Sequence, residues 1–271
     1  MIEVEDVTVR AAGRDLLRSV NFALQPRHVT ALLGPNGAGK STLLGVACGD
    51  IRPAGGTVRM NGRTLAAWTR IAQARSRAVM LQESVLTAPF EVLDVVLMGR
   101  APHFESRESP RDREIAREAL ASVGAAALER RSYTTLSGGE KQRVQLARAL
   151  AQVWGADGDE PRYLLLDEPT ANLDPRHQHL VLAEVRRFAA AGGGALVILH
   201  DLNLALQYAD DVVLLKRGSL VASGPAMQAL TEETLAAAFE LPMRIVRPPD
   251  LGRPLIYSRG GNEHGNEFES H

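Results

Sequence analysis

The run Gly34-Pro35-Asn36-Gly37-Ala38-Gly39-Lys40-Ser41 constrains this chain more than any other feature. It reads G-x-x-x-x-G-K-S, with the apolar run Val29–Leu33 before it and the helical pattern Thr42-Leu43-Leu44-Gly45-Val46-Ala47 after it. A strand that ends in such a loop and re-enters as a helix turns backbone N–H groups inward, and the helix N-terminus adds a positive dipole end. The loop is therefore suited to cradling phosphate oxygens. Gly37 and Gly39 permit the backbone this requires. Lys40 is predicted to reach the terminal phosphates and Ser41 to ligate Mg²⁺, with Gly34, Pro35, Asn36, Ala38 and Thr42 completing the contacts.

Around this loop, short runs rich in Val, Leu and Ile alternate with helical patterns. They lie at Val29–Leu33, 78–81, Tyr163–Leu166, 195–199 and 212–215. Unbroken apolar runs of this length predict strands buried on both faces, hence an α/β fold with a mostly parallel sheet. Residues 83–153 differ, being rich in charge and in helix-spaced apolar positions, and read as a helical insert. Within it Ile115, Ala119, Leu120 and Val123 share one face, Arg113, Glu114, Arg117 and Glu118 lie largely on the other, and Gly124 is placed to end the helix. The first 28 residues and the segment 55–68 alternate in polarity, and Asn61-Gly62 marks a tight hairpin, so a small antiparallel sheet is expected beside the parallel one. One domain is expected over 1–259, followed by a disordered tail at 260–271.

A second cluster of polar residues stands where apolar strands end. Tyr163–Leu166 runs into Asp167 and Glu168: the first can hold the shell of a Mg²⁺ ion, the second can act as general base toward water. Gln82 closes the strand at 78–81 and can sense the metal or the water. His200 closes the strand at 195–199 and can hydrogen-bond a γ-phosphate. In a parallel sheet, Gly34, Gln82, Asp167 and His200 all emerge at one edge, where open α/β folds bind ligands. A lone histidine at a strand end is more often structural, so His200 depends on its neighbours.

The run Leu136-Ser137-Gly138-Gly139-Glu140-Lys141-Gln142-Arg143 opens a helix whose apolar face is Val144, Ala147, Leu150 and Ala151. Ser137 and Glu140 form a capping box, yet two glycines behind a good cap weaken the helix and need another reason. They let an anion approach the exposed N–H groups. Taken in order, the phosphate loop, Gln82, Ser137-Gly138-Gly139, Asp167-Glu168 and His200 resemble the nucleotide-binding subunit of an ATP-binding-cassette (ABC) transporter, over about residues 1–240.

That resemblance implies a P-loop NTPase (RecA-like) core with an inserted helical subdomain, and hydrolysis of ATP with Mg²⁺. It implies a head-to-tail pair of copies in which Ser137, Gly138 and Gly139 serve the partner's nucleotide, and Ala171-Asn172-Leu173-Asp174 resembles the loop that crosses between them. It also implies integral membrane permease subunits docked on the surface 83–104, including Phe90, Leu97 and Met98, with a periplasmic binding protein served indirectly. Core packing accounts equally well for those apolar residues. The family's adenine-stacking aromatic has no counterpart in Val7-Thr8-Val9-Arg10-Ala11-Ala12-Gly13, where the planar guanidinium of Arg10 is the available substitute.

The single compact insert resembles importers of iron-siderophores, cobalamin or haem. The polar segment 153–162, Arg176-His177-Gln178-His179 and His200-Asp201-Leu202-Asn203-Leu204-Ala205 are similar to ATP-binding subunits of haemin importers. His177 and His179 suit protein partners better than cargo.

Composition supports this reading by exclusion. With 31 Lys+Arg against 32 Asp+Glu, the net charge of −1 offers no general attraction to nucleic acid. One cysteine, Cys48, permits neither an internal disulfide nor a thiolate cluster, which fits a reducing compartment. No apolar run reaches the roughly 18–20 residues of a membrane span, and the start Met1-Ile2-Glu3-Val4-Glu5-Asp6 is acidic where a signal peptide is basic. The expected place is the cytoplasmic face of the inner membrane, held there by partners. Soluble cassette ATPases of DNA maintenance or translation carry a long coiled-coil insert or tandem cassettes, which this chain lacks. A P-loop kinase or GTPase leaves the run 136–140 without a role.

Overall fold

A computed structural model of the chain describes residues 1–11, 13–81, 86–155, 160–250 and 252–258. The chain opens with β1 (Ile2–Ala11) and β2 (Arg14–Leu24), then β3 (Val29–Leu33) and α1 (Lys40–Cys48). A hairpin of β4 (Gly55–Met60) and β5 (Arg63–Thr64), α2 (Arg70–Ser76) and β6 (Arg77–Met80) follow. Next come α3 (Val92–Leu97), α4 (Pro110–Ser122) and α5 (Gly138–Val153). The second half runs β7 (Tyr163–Leu166), α6 (Pro175–Ala190), β8 (Gly194–Ile198), α7 (Leu202–Tyr208), β9 (Asp211–Lys216) and β10 (Ser219–Pro225). It finishes with α8 (Ala226–Ala229), α9 (Glu232–Phe239) and the hairpin of β11 (Met243–Val246) and β12 (Leu255–Ser258).

Two sheets organise these elements. The larger has the order β10-β9-β3-β8-β7-β6, parallel from β9 to β6, with β10 antiparallel at its edge. The smaller is antiparallel, β2-β1-β4-β5. All residues of β3, β7 and β8 are buried, because helices or the small sheet cover both faces. Alternation assigns each side chain to a layer. Ala31, Leu33, Leu164 and Leu166 pack toward α3–α6, whereas Leu32, Tyr163 and Leu165 pack toward α1 and the small sheet. Each fully buried Leu or Val in these layers contributes about 1.5–3 kcal/mol, which anchors the strands whose ends carry the polar residues.

The insert obeys the same local rules. Ser109 caps α4 with a complete capping box to Asp112, Pro110 occupies its first turn, and Gly124 at φ +65° follows its end. Ile115, Ala119, Leu120 and Val123 are buried as their spacing predicts. One feature is absent from the hydrophobic pattern. Arg100 and Asp112 form a buried ion pair at 2.9 Å, and Arg100 Nη1 also donates to the Ala151 and Trp154 carbonyls at the end of α5. This fastens the insert to the long helix.

The strand expected at 78–81 lies one residue earlier. β6 is an edge strand whose ladder closes with the Asp167 N–H donating to the Met80 carbonyl at 2.8 Å, which leaves Leu81 49% exposed. The strand expected at 195–199 also begins and ends one residue earlier, and the Leu199 N–H still donates to the Leu32 carbonyl. Asn61 and Gly62, both at positive φ, form the expected turn between β4 and β5. Cys48 is buried and its thiol is pushed up to about 12 by burial, so it is chemically quiet. The tail expected at 260–271 lies outside the described residues.

Candidate active site

The loop between β3 and α1 is held by contacts only glycine tolerates. A Cβ on Gly34, at φ +142°, would stand 2.2 Å from the Leu215 carbonyl oxygen of neighbouring β9. One on Gly39, at φ +101°, would stand 2.9 Å from the Leu16 carbonyl oxygen. The sheet and the β1–β2 hairpin thus press the loop into shape from both sides. Lys40, 7% exposed, donates to the Gly34 and Pro35 carbonyls at 2.9 and 3.1 Å. Burial lowers its pKa, against the pull of Glu168 and Asp167.

Strand order explains the convergence. β3, β8 and β7 are adjacent and parallel, so the residues after Leu33, Ile198 and Leu166 leave the sheet at the same edge. A cavity of about 1030 Å³ there is lined by Asn36, Lys40, Ser41, Thr42, Glu168 and His200, among others. Glu168 adopts φ +50°, a left-handed conformation costing an ordinary L-residue roughly 1–2 kcal/mol. His200 Nε2 lies 2.5 Å from Glu168 Oε1. An ionised carboxylate can only accept, so in that state the imidazole donates from Nε2.

Asp167 is 5% exposed, and its Oδ1 has no hydrogen-bond partner among the described residues. Burial raises its pKa, and the charge of Glu168 adds to the rise, while the Ser41 hydroxyl, Lys40 and His200 pull it down. An orphaned buried carboxylate oxygen beside a hydroxyl is a hard oxygen donor pair, and those two residues fit a Mg²⁺ ion that keeps several waters. Gln82, expected to join them, lies outside the described residues.

Ser137, Gly138 and Gly139 are not part of this cavity. The capping box is complete: the Ser137 N–H donates to Glu140 at 2.8 Å and the Glu140 N–H to the Ser137 hydroxyl at 3.3 Å. Ser137 and Gly138 are exposed at the mouth of a second cavity of about 440 Å³, shared with Asn172, Asp174 and His177. Among the described residues none lines both cavities. One copy therefore presents the phosphate loop and the glycine-rich helix start on separate surfaces.

The remaining expectations divide. Arg10 pairs with Asp15 at 2.9 Å and does not line the large cavity; Arg14, Leu16, Arg18 and Arg217 do. Sequence reasoning missed the three arginines because surface arginines in hairpins carry no periodic signal. Phe90 and Met98 are 39% and 37% exposed, but Leu97 is 3% exposed and belongs to the core. His177 is bound to Asp174, which caps α6, and His179 Nδ1 lies 2.7 Å from the Tyr208 hydroxyl. Also unforeseen is Gln142, whose Nε2 donates to the Glu168 carbonyl at 2.7 Å.

A family model for ABC transporters matches residues 17–171. The chain is 53% identical over 260 residues to the hemin import ATP-binding protein HmuV of Gloeobacter violaceus, covering 96% of this chain and 94% of that one. To the protein of the same name from Pseudomonas aeruginosa it is 47% identical over 259 residues, 96% of this chain and 100% of that one. Among solved structures, an ABC transporter of metal-chelate type in an inward-facing conformation superposes with a TM-score of 0.80 at 27% identity, covering 96% and 97% of the two chains. A dimeric bacterial ABC transporter cassette superposes at 0.73 with 23% identity, covering 83% and 99%, a likeness of fold.

Proposed function

This chain belongs to the ABC transporter family, and on that premise we propose that it is the ATP-hydrolysing subunit of an importer that energises haem uptake through a separate membrane permease. The observation that carries the ATPase reading is the convergence of Lys40, Ser41, Glu168 and His200 on one cavity at the carboxyl edge of the sheet, with the buried Asp167 hydrogen-bonded to Ser41. Among the described residues no helix is long and apolar enough to cross a membrane, and in this proposal the membrane path belongs to permease subunits. Two copies pair head to tail at the cytoplasmic face, because Ser137, Gly138 and Gly139 open onto a cavity that Lys40 does not share.

In this reading the N–H groups of the loop 34–41 and the Lys40 ammonium hold the β- and γ-phosphates. Ser41 and Asp167, with Gln82, would hold a Mg²⁺ ion, which would supply positive charge against the phosphate oxygens. Glu168 accepts the proton of the attacking water. His200 orients that carboxylate and reaches toward the γ-phosphate. The partner's Ser137, Gly138 and Gly139 close the far side, the Ser137 hydroxyl and the N–H groups of the two glycines facing the triphosphate.

Cargo rests on the relatives named for hemin import, two of which match nearly their whole length. The test is transport by the complex reconstituted with its permease, comparing haem, a ferric siderophore and cobalamin, with a periplasmic binding protein supplied in turn. Haem-dependent ATP turnover exceeding that with the other two is the expected result. Transport of a siderophore or cobalamin but not haem would overturn the cargo and keep the mechanism. Full activity that no permease changes would overturn the transport role.

A further inference from the structure

We propose that Gln142 is a positioning residue for hydrolysis: from the helix that begins at Ser137-Gly138-Gly139, its amide holds the backbone of Glu168 and thereby aims the carboxylate. The inference rests on Glu168 being the base. The sheet releases the chain directly before this residue, since the Asp167 N–H makes the last ladder bond, to the Met80 carbonyl. Glu168 then turns into the left-handed region at φ +50°, which a side-chain-bearing residue keeps only where its surroundings impose it. Among the described residues two donors meet its carbonyl oxygen: the Ala171 N–H at 3.1 Å, which closes the local turn, and Gln142 Nε2 at 2.7 Å. The second comes from outside the turn, 26 residues away in sequence.

The contact is part of a larger seat. Gly139 lies one turn before Gln142 on the same face of α5, and a Cβ there would stand 3.1 Å from both the Asn172 carbonyl oxygen and Leu173 Cδ2. The start of α5 is thus pressed against the segment 168–173 at two points. The other end of α5 is fixed to the core, where Gln152 Nε2 donates to the Ala74 and Arg77 carbonyls at 2.7 and 2.9 Å. The carboxylate's position therefore follows that of the helix whose first turn meets the partner's nucleotide. An amide suits the task because a carbonyl needs an N–H donor; a thioether or carboxylate of the same length supplies none.

ATP hydrolysis by the purified full chain, measured against ATP concentration for wild type, Gln142→Met, Gln142→Glu and Gln142→Lys, tests this. Loss of the donor in Gln142→Met and Gln142→Glu is expected to lower kcat about tenfold with KM within about twofold, whereas Gln142→Lys, which keeps an N–H, recovers about a third or more of the wild-type kcat. A kcat within about twofold of wild type in both donor-less variants, a loss carried by KM, or an equal loss in Gln142→Lys would overturn the proposal. If Gln142→Met does not fold, Gln142→Glu, of the same shape at a half-buried position, carries the same test. Glu168→Gln is run alongside: normal turnover there removes the base assignment itself, which separates that failure from the failure of Gln142.

Discussion

His200 Nε2 stands 2.5 Å from Glu168 Oε1, joining two residues 32 positions apart across the strand β8 edge into one hydrogen-bonded unit. Removing the base should leave binding intact and stop the chemistry. Glu168→Gln is expected to keep ATP affinity, lower kcat by about 10²–10⁴-fold, and accumulate the ATP-bound dimer in size-exclusion runs. His200→Ala, which removes the imidazole from the Glu168 carboxylate, should lower kcat while KM changes little. Steady-state turnover near wild type in Glu168→Gln would remove it as base.

Asp167 tests the metal side. Its orphaned Oδ1 and raised pKa make it costly to ionise without a cation, so Asp167→Asn should remove hydrolysis while the apo subunit unfolds at the same temperature or higher. Chelation of divalent ions by EDTA should abolish wild-type turnover, and added Mg²⁺ should restore it. Full activity in EDTA would contradict this assignment.

Gly138 separates folding from pairing. A Cβ there meets nothing closer than Asn172 Cβ at 3.8 Å, so Gly138→Ala fits the single subunit and should gain up to about 1 kcal/mol of helix stability. In the proposed head-to-tail pair the same methyl group would stand where the partner's phosphate approaches the N–H groups. Thermal unfolding should be unchanged or later while ATPase activity falls; a fall in both would return the glycine to a purely structural role.

The Arg100–Asp112 pair should govern stability of the insert. Arg100→Met leaves a buried carboxylate without its cation and frees two carbonyls at the end of α5, a loss expected at about 3–5 kcal/mol. Burial pushes the Asp112 carboxyl up, but the Ser109 hydroxyl and N–H and the Arg100 guanidinium together hold it below its ordinary value. Its contribution is present above the ordinary value of 3.8 and is lost as pH falls below that, so denaturant midpoints of variant and wild type should converge in acid.

Glu184 predicts the opposite slope. Burial raises its carboxyl above the ordinary 4.5 despite the pull of Arg187 and the Ser122 hydroxyl. The neutral form is favoured in the fold, so its ionisation weakens the native state as pH rises above 4.5. Glu184→Gln should unfold at a higher temperature than wild type at neutral pH, with the gap closing below that value. A gap independent of pH would remove ionisation as the cause.

Much of this site is legible in the sequence because its parts are local. Gly34 to Ser41 is one loop, Ser137 and Glu140 are one capping box, and Asp167 and Glu168 end one apolar run. In each case the candidate residues are neighbours in the chain, and period and spacing display them. The strands showed for the same reason: a segment buried on both faces must be apolar throughout, as β3, β7 and β8 are.

What the sequence by itself determined is the inventory of chemistry and the elements that carry it: a phosphate loop, a carboxylate pair, a capped helix start with two glycines, and an α/β sheet. Only the tertiary structure decided which of these meet. Strand order places Glu168 on His200, the helix α5 places Gln142 on the Glu168 carbonyl, and Ser137 is turned away to a cavity of its own. The physical reason is that hydrogen bonds between groups 26 and 32 residues apart follow from the packing of whole elements. Hydrophobic periodicity reports which face of an element is buried, but not the polar group that will stand across from it.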